Sequence, residues 1–429
     1  MALAKLKADA TDARLEAVAL PDGAAWLTRA RTDALGRVAA MGLPHRRDEY
    51  WKYTDPATLV QIDAPPADVL AVSDDPEFSG VDAVKIVFVD GVFDAAQSDD
   101  LTLAGIEISR LVDAAALDIS WAGDLFGVLE TRGQSPVERP LAALTTATAT
   151  DGVLIRATGK AAKPVHIRYA RKDAGADVAL HHVVRVEAGA EVTLLESGAG
   201  AARFASNMEV DVADGATFHH VRAQGRDHGR RMNTHTFARI GAEATFKSFT
   251  LSVNGALTRN DCVMDIVGDD ATAHVAGACV GDGDGFHHDD TVFITHDAVG
   301  CESRQVFKKV LRNGAVGVFQ GKILVKHGAQ KTDGYQISQS LLLDGDSQFL
   351  AKPELEIYAD DVACSHGSTS GAIDEDALFY LRSRGVPEKA ATTLLTLSFL
   401  AEALQEIADE ALAEDLRDRL AGWLDRHAD

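Results

Sequence analysis

Apolar and polar positions change rhythm twice along the chain. In the first stretch the apolar residues recur at helical spacing. Leu15, Val18 and Leu20 end one stripe, and Pro21 and Asp22 open a second that carries Trp26, Leu27, Ala30, Ala34, Leu35, Val38 and Met41 until Gly42 and Pro44 stop it. From Asp151 the texture becomes short alternating pieces with no helical period between them. Strands are predicted at Val153 to Arg156, Val165 to Tyr169, His182 to Val186, Val192 to Glu196, Phe204 to Val212, Thr217 to Ala223, Thr234 to Ile240, Thr245 to Leu251, Cys262 to Val267 and Thr291 to His296. The alternation of Leu355 and Ile357 with Glu354, Glu356 and Tyr358 predicts one more half-buried strand. The second change follows at once. Asp374 is placed to cap a helix, with Glu375 and Asp376 at its positive end and Arg382 and Arg384 at its negative end; Gly385 closes it and Pro387 opens the next. Ala390, Leu394, Leu395, Leu397, Phe399, Leu400 and Leu404 line that next helix, and Leu412, Leu416, Leu420 and Leu424 line a last one.

The turns between strands repeat as well. Small-residue turns at Glu187, Val212, Ile240 and Val267 place Val192, Ala216, Ala244 and Ala271 in equivalent positions. Their spacing of roughly 24 to 28 residues suits one coil of a parallel solenoid. A large antiparallel sandwich turns every ~8–12 residues, so the longer period favours the solenoid. The expected fold is mainly β: a parallel β-helix flanked by N-terminal and C-terminal α-helical domains, whose helices cover the open ends of the stack. The expected divisions are 1–150 for the N-terminal helical and mixed region, 151–373 for the β-helix and 374–429 for the C-terminal helices. Within the first, Val84 to Phe93 is predicted to be a hairpin turning at Asp90 and Gly91, with a short helix near Leu125 to Thr131. Residues 61–80 are expected to form a surface connection. The segment Pro44 to Thr54 packs Tyr50, Trp51 and Tyr53 among charges, and is expected to be a strap tying the helical part to its neighbour rather than a docking surface.

Composition narrows the function. The formal charge of −23 disfavours nucleic acid and anionic membrane surfaces as partners. Four cysteines (Cys262, Cys279, Cys301 and Cys364) without a CxxC pair argue for a reducing compartment and against a disulfide scaffold or a structural zinc site. No apolar run approaches the ~20 residues that span a bilayer, and Met1 to Ala10 lacks the apolar core of a signal peptide. A cytoplasmic location is expected.

Candidate chemistry is sparse. His181 and His182, His219 and His220, and His287 and His288 are doublets, so on a strand each pair turns one ring in and one out. With His296 they are expected to be satisfied or surface side chains rather than a metal site. Gly281 to Gly285 resembles a calcium turn but lacks the remaining ligands of such a loop. No Walker A, dinucleotide or GxSxG motif is present. Cys364 and His366 stand two apart on an extended segment, so both face one side, a thiol and an imidazole that make half of a metal site.

The block from 300 to 385 carries longer motifs: Gly317 to Ile323, Ala329 to Gln336, Pro353 to Ile357, Asp360 to Gly367 and Leu378 to Gly385. Together these closely resemble the SufB/SufD family of iron–sulfur cluster assembly proteins. The resemblance is dense over about 290–400, thinner through the solenoid, and returns at Trp51, Lys52, Tyr53 and Thr54. Cys364-Ser-His366-Gly and the helix segment Tyr380 to Gly385 look like the SufD form; the SufB form carries a His-Glu pair where this chain has His366 and Gly367. The resemblance implies a right-handed parallel β-helix and a non-catalytic scaffold subunit. It implies pairing with SufB through the last coils, and docking of the ATPase SufC on about 374–429. It also implies that His366, with Cys364 beside it, helps ligate a nascent Fe–S cluster at the junction, held transiently by the complex and not stably by the isolated chain. The chain alone is expected to be able to homodimerise. The alternative from the residues is a metal-binding or carbohydrate-active β-helix enzyme acting alone.

Overall fold

The structure is a computed structural model that describes residues 5–69, 77–225 and 227–426; residues 70–76 of the expected surface connection lie outside the described residues. Six helices belong to the N-terminal region: α1 (Lys5–Ala17), α2 (Ala25–Met41), α3 (Ala57–Val60), α4 (Leu111–Ala114), α5 (Val128–Arg132) and α6 (Pro140–Thr148). Leu27, Ala34, Val38 and Met41 bury the face of α2 that the apolar stripe predicts. Three strands lie among these helices: β1 (Val84–Val89), β2 (Val92–Phe93) and β3 (Ile106–Arg110). The first two form the predicted hairpin, with Asp90 and Gly91 at positive φ. Residues 84–110 thus bring β structure upstream of residue 151.

The rest of the β structure is a solenoid of about seven turns. Its strands are β4 (Val153–Ala157), β5 (Val165–Ala170), β6 (Asp177–Val186), β7 (Glu191–Gly198), β8 (Arg203–Val212), β9 (Thr217–Gln224), β10 (Arg231–Ile240), β11 (Thr245–Val253), β12 (Leu257–Ile266), β13 (Thr272–Asp282), β14 (His287–His296), β15 (Glu302–Arg312), β16 (Val316–Val325), β17 (Asp333–Leu342), β18 (Gln348–Ile357) and β19 (Ala363–Gly371). They alternate between a ten-stranded and a nine-stranded sheet, and every pairing of one of these strands with another is parallel. Glu191, Thr217, Thr245, Thr272, Glu302 and Asp333 stack in one column, the coil repeat that the turn spacing predicts, although Val192 pairs with Phe218, so that Ala190 and not Val192 falls in line with Ala216, Ala244 and Ala271. Inward side chains from both sheets, among them Val192, Phe218, Phe246, Met208, Met264 and Ile294, fill one continuous core.

The helices lie on the flanks of the stack, which corrects the expectation that they cap its ends. The outward face of the ten-stranded sheet is apolar at Leu195, Val221, Phe249, Leu251, Ala276 and Val306. The last helices, α7 (Glu375–Ser383), α8 (Glu388–Leu404) and α9 (Glu410–Arg426), follow β19, and α8 and α9 bury Leu400, Leu404, Leu412, Leu416, Leu420 and Trp423 against that face. Lys308 pairs there with Glu402, and His274 and Arg304 with Glu406. The N-terminal helices cover the nine-stranded sheet in the same way: Leu129 and Ala142 pack on Phe237, Val263 and Phe293. At the N-terminal end both sheets finish in strands that break the parallel repeat, β2 and β3, each antiparallel to its neighbour. At the other end they finish in β18 and β19, still parallel and in register with the coil beneath. No described strand pairs with the outer edge of either.

Candidate functional site

Cys364 and His366 lie on β19, at that unpaired edge. Register sets their direction. Cys364 stacks on Gly334 and His366 on Gln336, both inward positions of β17, so the thiol and the imidazole face into the mouth of the stack. The two differ in environment. Cys364 is half-buried beside Ile323, Val325, Ala329 and Leu355. Its Sγ sits so close over Gly334 that a Cβ there would lie 3.1 Å away. Burial pushes the Cys364 thiol up, which keeps it protonated near neutrality. The His366 ring is exposed. Two donors cannot enclose an iron–sulfur cluster, and among the described residues no group of three or more His, Cys, Asp or Glu side chains is gathered as a metal site. The edge therefore offers two donors, part of a ligand set and not a whole one.

The other sequence candidates are accounted for inside the fold. The doublets alternate in and out as strand geometry requires. His182 points inward to the hydroxyl of Tyr169 at 3.0 Å, while His181 points outward, stacks on Phe126 and lies 2.7 Å from Glu209. His220 contacts Glu196 and Ser248, and His287 reaches the Thr54 hydroxyl. His296 meets Ser303 at 2.8 Å, and burial holds its pKa down to about 4. At the Gly281 to Gly285 turn, Asp282 accepts from Arg312 and Asn313 of the next coil, so its carboxylate serves the stack. Pro44 to Thr54 is the expected strap. Arg259 lies over the Trp51 ring, the Thr54 hydroxyl donates to Asp289 at 2.6 Å, Tyr50 donates to Glu354, and Lys352 bonds Glu49. The last two contacts tie the strap to β18, the other edge strand.

Strand pattern alone does not show a polar seam inside the solenoid. Tyr169 donates to Glu196, which also receives His220 and Arg222. Arg222 reaches Thr234, Thr234 reaches Asn260, and Asn260 reaches Asp290. Lys309 closes the run, 2.6 Å from Asp290 and 2.7 Å from His288 Nδ1. Burial alone would raise Glu196, yet Arg222 and His220 hold its carboxyl well below the usual range. The available signal was polar residues recurring at inward positions of successive coils. At the C-terminal side, α7 buries none of its residues and leaves Phe379 and Tyr380 73% and 57% exposed.

Comparison with known proteins agrees with this arrangement. The family model of the SUF system FeS cluster assembly SufBD core domain matches residues 169–399. The iron–sulfur cluster assembly protein SufD of Escherichia coli K12 is 29% identical over 407 residues, covering 90% of each chain. A SufBD family protein of Synechocystis is 28% identical over 421 residues, covering 91% of this chain and 90% of its own. A shorter match, 32% over 126 residues, links the chain to SufD of Bacillus subtilis. Among the described residues no helix is long and apolar enough to cross a membrane. The chain therefore belongs to the SufB/SufD family, on its SufD side, and takes part in iron–sulfur cluster assembly by the SUF system.

Proposed function

We propose that the chain is a non-catalytic scaffold subunit that works in the cytoplasm and whose open β end pairs with SufB. The observation that supports this most directly is the pair of unpaired edge strands, β18 and β19, with two potential metal ligands turned into the mouth between them. Unpaired strands invite addition of another strand, and a second solenoid that continues the coil would close over Cys364 and His366. His366, exposed and two residues from the thiol, becomes a ligand to the nascent cluster once SufB supplies the rest of the set. Cys364 is the weaker donor, because burial keeps its proton on. In the absence of SufB the same edges suit a second copy of the chain. The exposed Phe379 and Tyr380 of α7, with Leu394 of α8, give an apolar face on which SufC docks. Nucleotide-driven movement of SufC then opens and closes the junction. A ligand site split between two chains assembles a cluster when the halves meet and releases it when they part.

The test is His366→Ala in the complex with SufB and SufC. The complex is expected to form as before while its assembly and transfer of clusters to an acceptor protein fall sharply. A variant complex that assembles and transfers clusters at the native rate contradicts the ligand role.

A further inference from the structure

Four of the longer sequence motifs meet beneath the mouth, and the proposed role of His366 leaves two of them unexplained. Gln305, Gln336 and His366 occupy one inward column on β15, β17 and β19. Both glutamines are fully buried. Gln336 donates from Nε2 to Gln305 Oε1 at 2.8 Å, while Gln305 Nε2 has no partner among the described residues. Its own Oε1 is buried and has no hydrogen-bond partner among the described residues. An unmet buried carbonyl is costly to keep, so a position that keeps one is expected to use it. The space is made by glycine: a Cβ on Gly321 would lie 2.2 Å from Gln336 Nε2 and 2.7 Å from its Cδ. Gly334, one coil below Cys364, likewise seats the thiol. Gly321, Gly334 and Gln336 thus come from the motifs Gly317 to Ile323 and Ala329 to Gln336, and all lie under the Cys364–His366 edge.

Imidazoles that ligate metals usually donate their other ring N–H to a carbonyl or carboxylate, which fixes the tautomer. The residue one coil below His366 offers a held, unmet side-chain carbonyl. We propose that Gln336 is a positioning residue for His366: a turn of the exposed ring brings the N–H of one ring nitrogen onto Oε1, which has no partner before that turn, and leaves the other nitrogen bare for the open end. The inference rests on the open-end reading given above, and it names how that end is kept ready before any partner or metal arrives. If both amides were turned over, Gln336 would donate to the ring instead and bring the proton to the wrong nitrogen, so the two arrangements have opposite consequences.

The test uses the full chain, metal-free, with isotope-labelled histidine, and reads the His366 tautomer from two-bond nitrogen–proton correlations at neutral pH. The signal is assigned by its loss in His366→Gln. In the native chain one tautomer dominates. Gln336→Met keeps length and removes the carbonyl, and the ratio is expected to move toward that of free imidazole by about fivefold, the worth of one net hydrogen bond. Gln336→Glu restores an acceptor and should keep the native tautomer. Should Gln336→Met fail to fold, Gln305→Met frees the Gln336 amide from below and should move the ratio in the same direction by a smaller factor. An unchanged ratio in the methionine variant that folds overturns the proposal, as does a glutamate variant that behaves like methionine. Normal cluster assembly by His366→Ala would remove the ligand role and leave this tautomer result standing, so the two failures are distinguishable.

Discussion

Ser368→Lys separates a free edge from one that a partner covers. Ser368 lies on β19 at an inward position, exposed, and shares a hydrogen bond of 2.9 Å with Ser338 on the coil beneath. In the isolated chain the change removes one part-buried hydroxyl bond, to the buried Ser338, and the ammonium remains in water. That costs about 1 kcal/mol, a Tm shift of no more than about 3 °C. When a second solenoid closes over the mouth, the same ammonium is enclosed without a counter-charge. An unpaired charge taken out of water costs roughly 3–5 kcal/mol, or about a thousandfold in Kd near the middle of that range. Inward charges on edge strands are a recognised way of preventing strand addition. The assay is calorimetric titration of the variant with SufB, beside thermal unfolding of the variant alone. Thr369→Lys puts the same charge on the outer face of the same strand and should weaken association by less than about tenfold. The reasoning fails if Ser368→Lys binds within about threefold of the native chain, or if the two lysine variants weaken binding equally.

Further outcomes follow from the buried charges and the exposed helix. Lys309→Met strands the Asp290 carboxylate in the core and should cost about 3–5 kcal/mol in denaturant unfolding, most of it recovered when Asp290→Leu is added; no recovery in the double variant would show that the seam is not a paired-charge device. Burial holds His166, His182, His235 and His296 down to about 4 in the folded chain, against about 6.5 when unfolded. The unfolded chain therefore binds protons that the folded chain refuses. The stability these groups allow is complete above pH 6.5 and falls toward pH 4, by up to about 1.4 kcal/mol per pH unit for each. His296→Gln should flatten urea-midpoint profiles over that window by one such increment, and parallel profiles would contradict it. Phe379→Glu, at a site 73% exposed, should leave stability within about 0.5 kcal/mol and reduce SufC capture at least tenfold; undiminished capture would move the docking face elsewhere.

Local signals were well written in the sequence. Asp374 accepts from the backbone of Asp376 and Ala377 as a cap should, Gly385 takes the positive φ that ends α7, and Asp90 and Gly91 turn the hairpin. The coil period was legible because every coil needs the same small-residue turn. What covers each sheet was not. On β6 both faces are buried, so His181, His182, Val183 and Val184 carry no alternation from which to read direction. The stripe of Leu412, Leu416, Leu420 and Leu424 says that α9 buries one face, and is silent on whether that face meets the flank or the end of the stack. The candidate edge was visible as Cys364 and His366 at spacing two. Its support from Gln336 was hidden because they are thirty positions apart in sequence and only the register makes them neighbours.

The central claim is that β18 and β19 form an open end that a second subunit closes. Amide hydrogen exchange of the chain alone and in complex with SufB tests it most directly. The account predicts that amides of Gln348–Ile357 and Ala363–Gly371 exchange quickly in the isolated, monomeric chain and become strongly protected in the complex, with little change over β4 to β12. A complex in which these two strands exchange as they do in the isolated chain, while protection appears elsewhere, would contradict it.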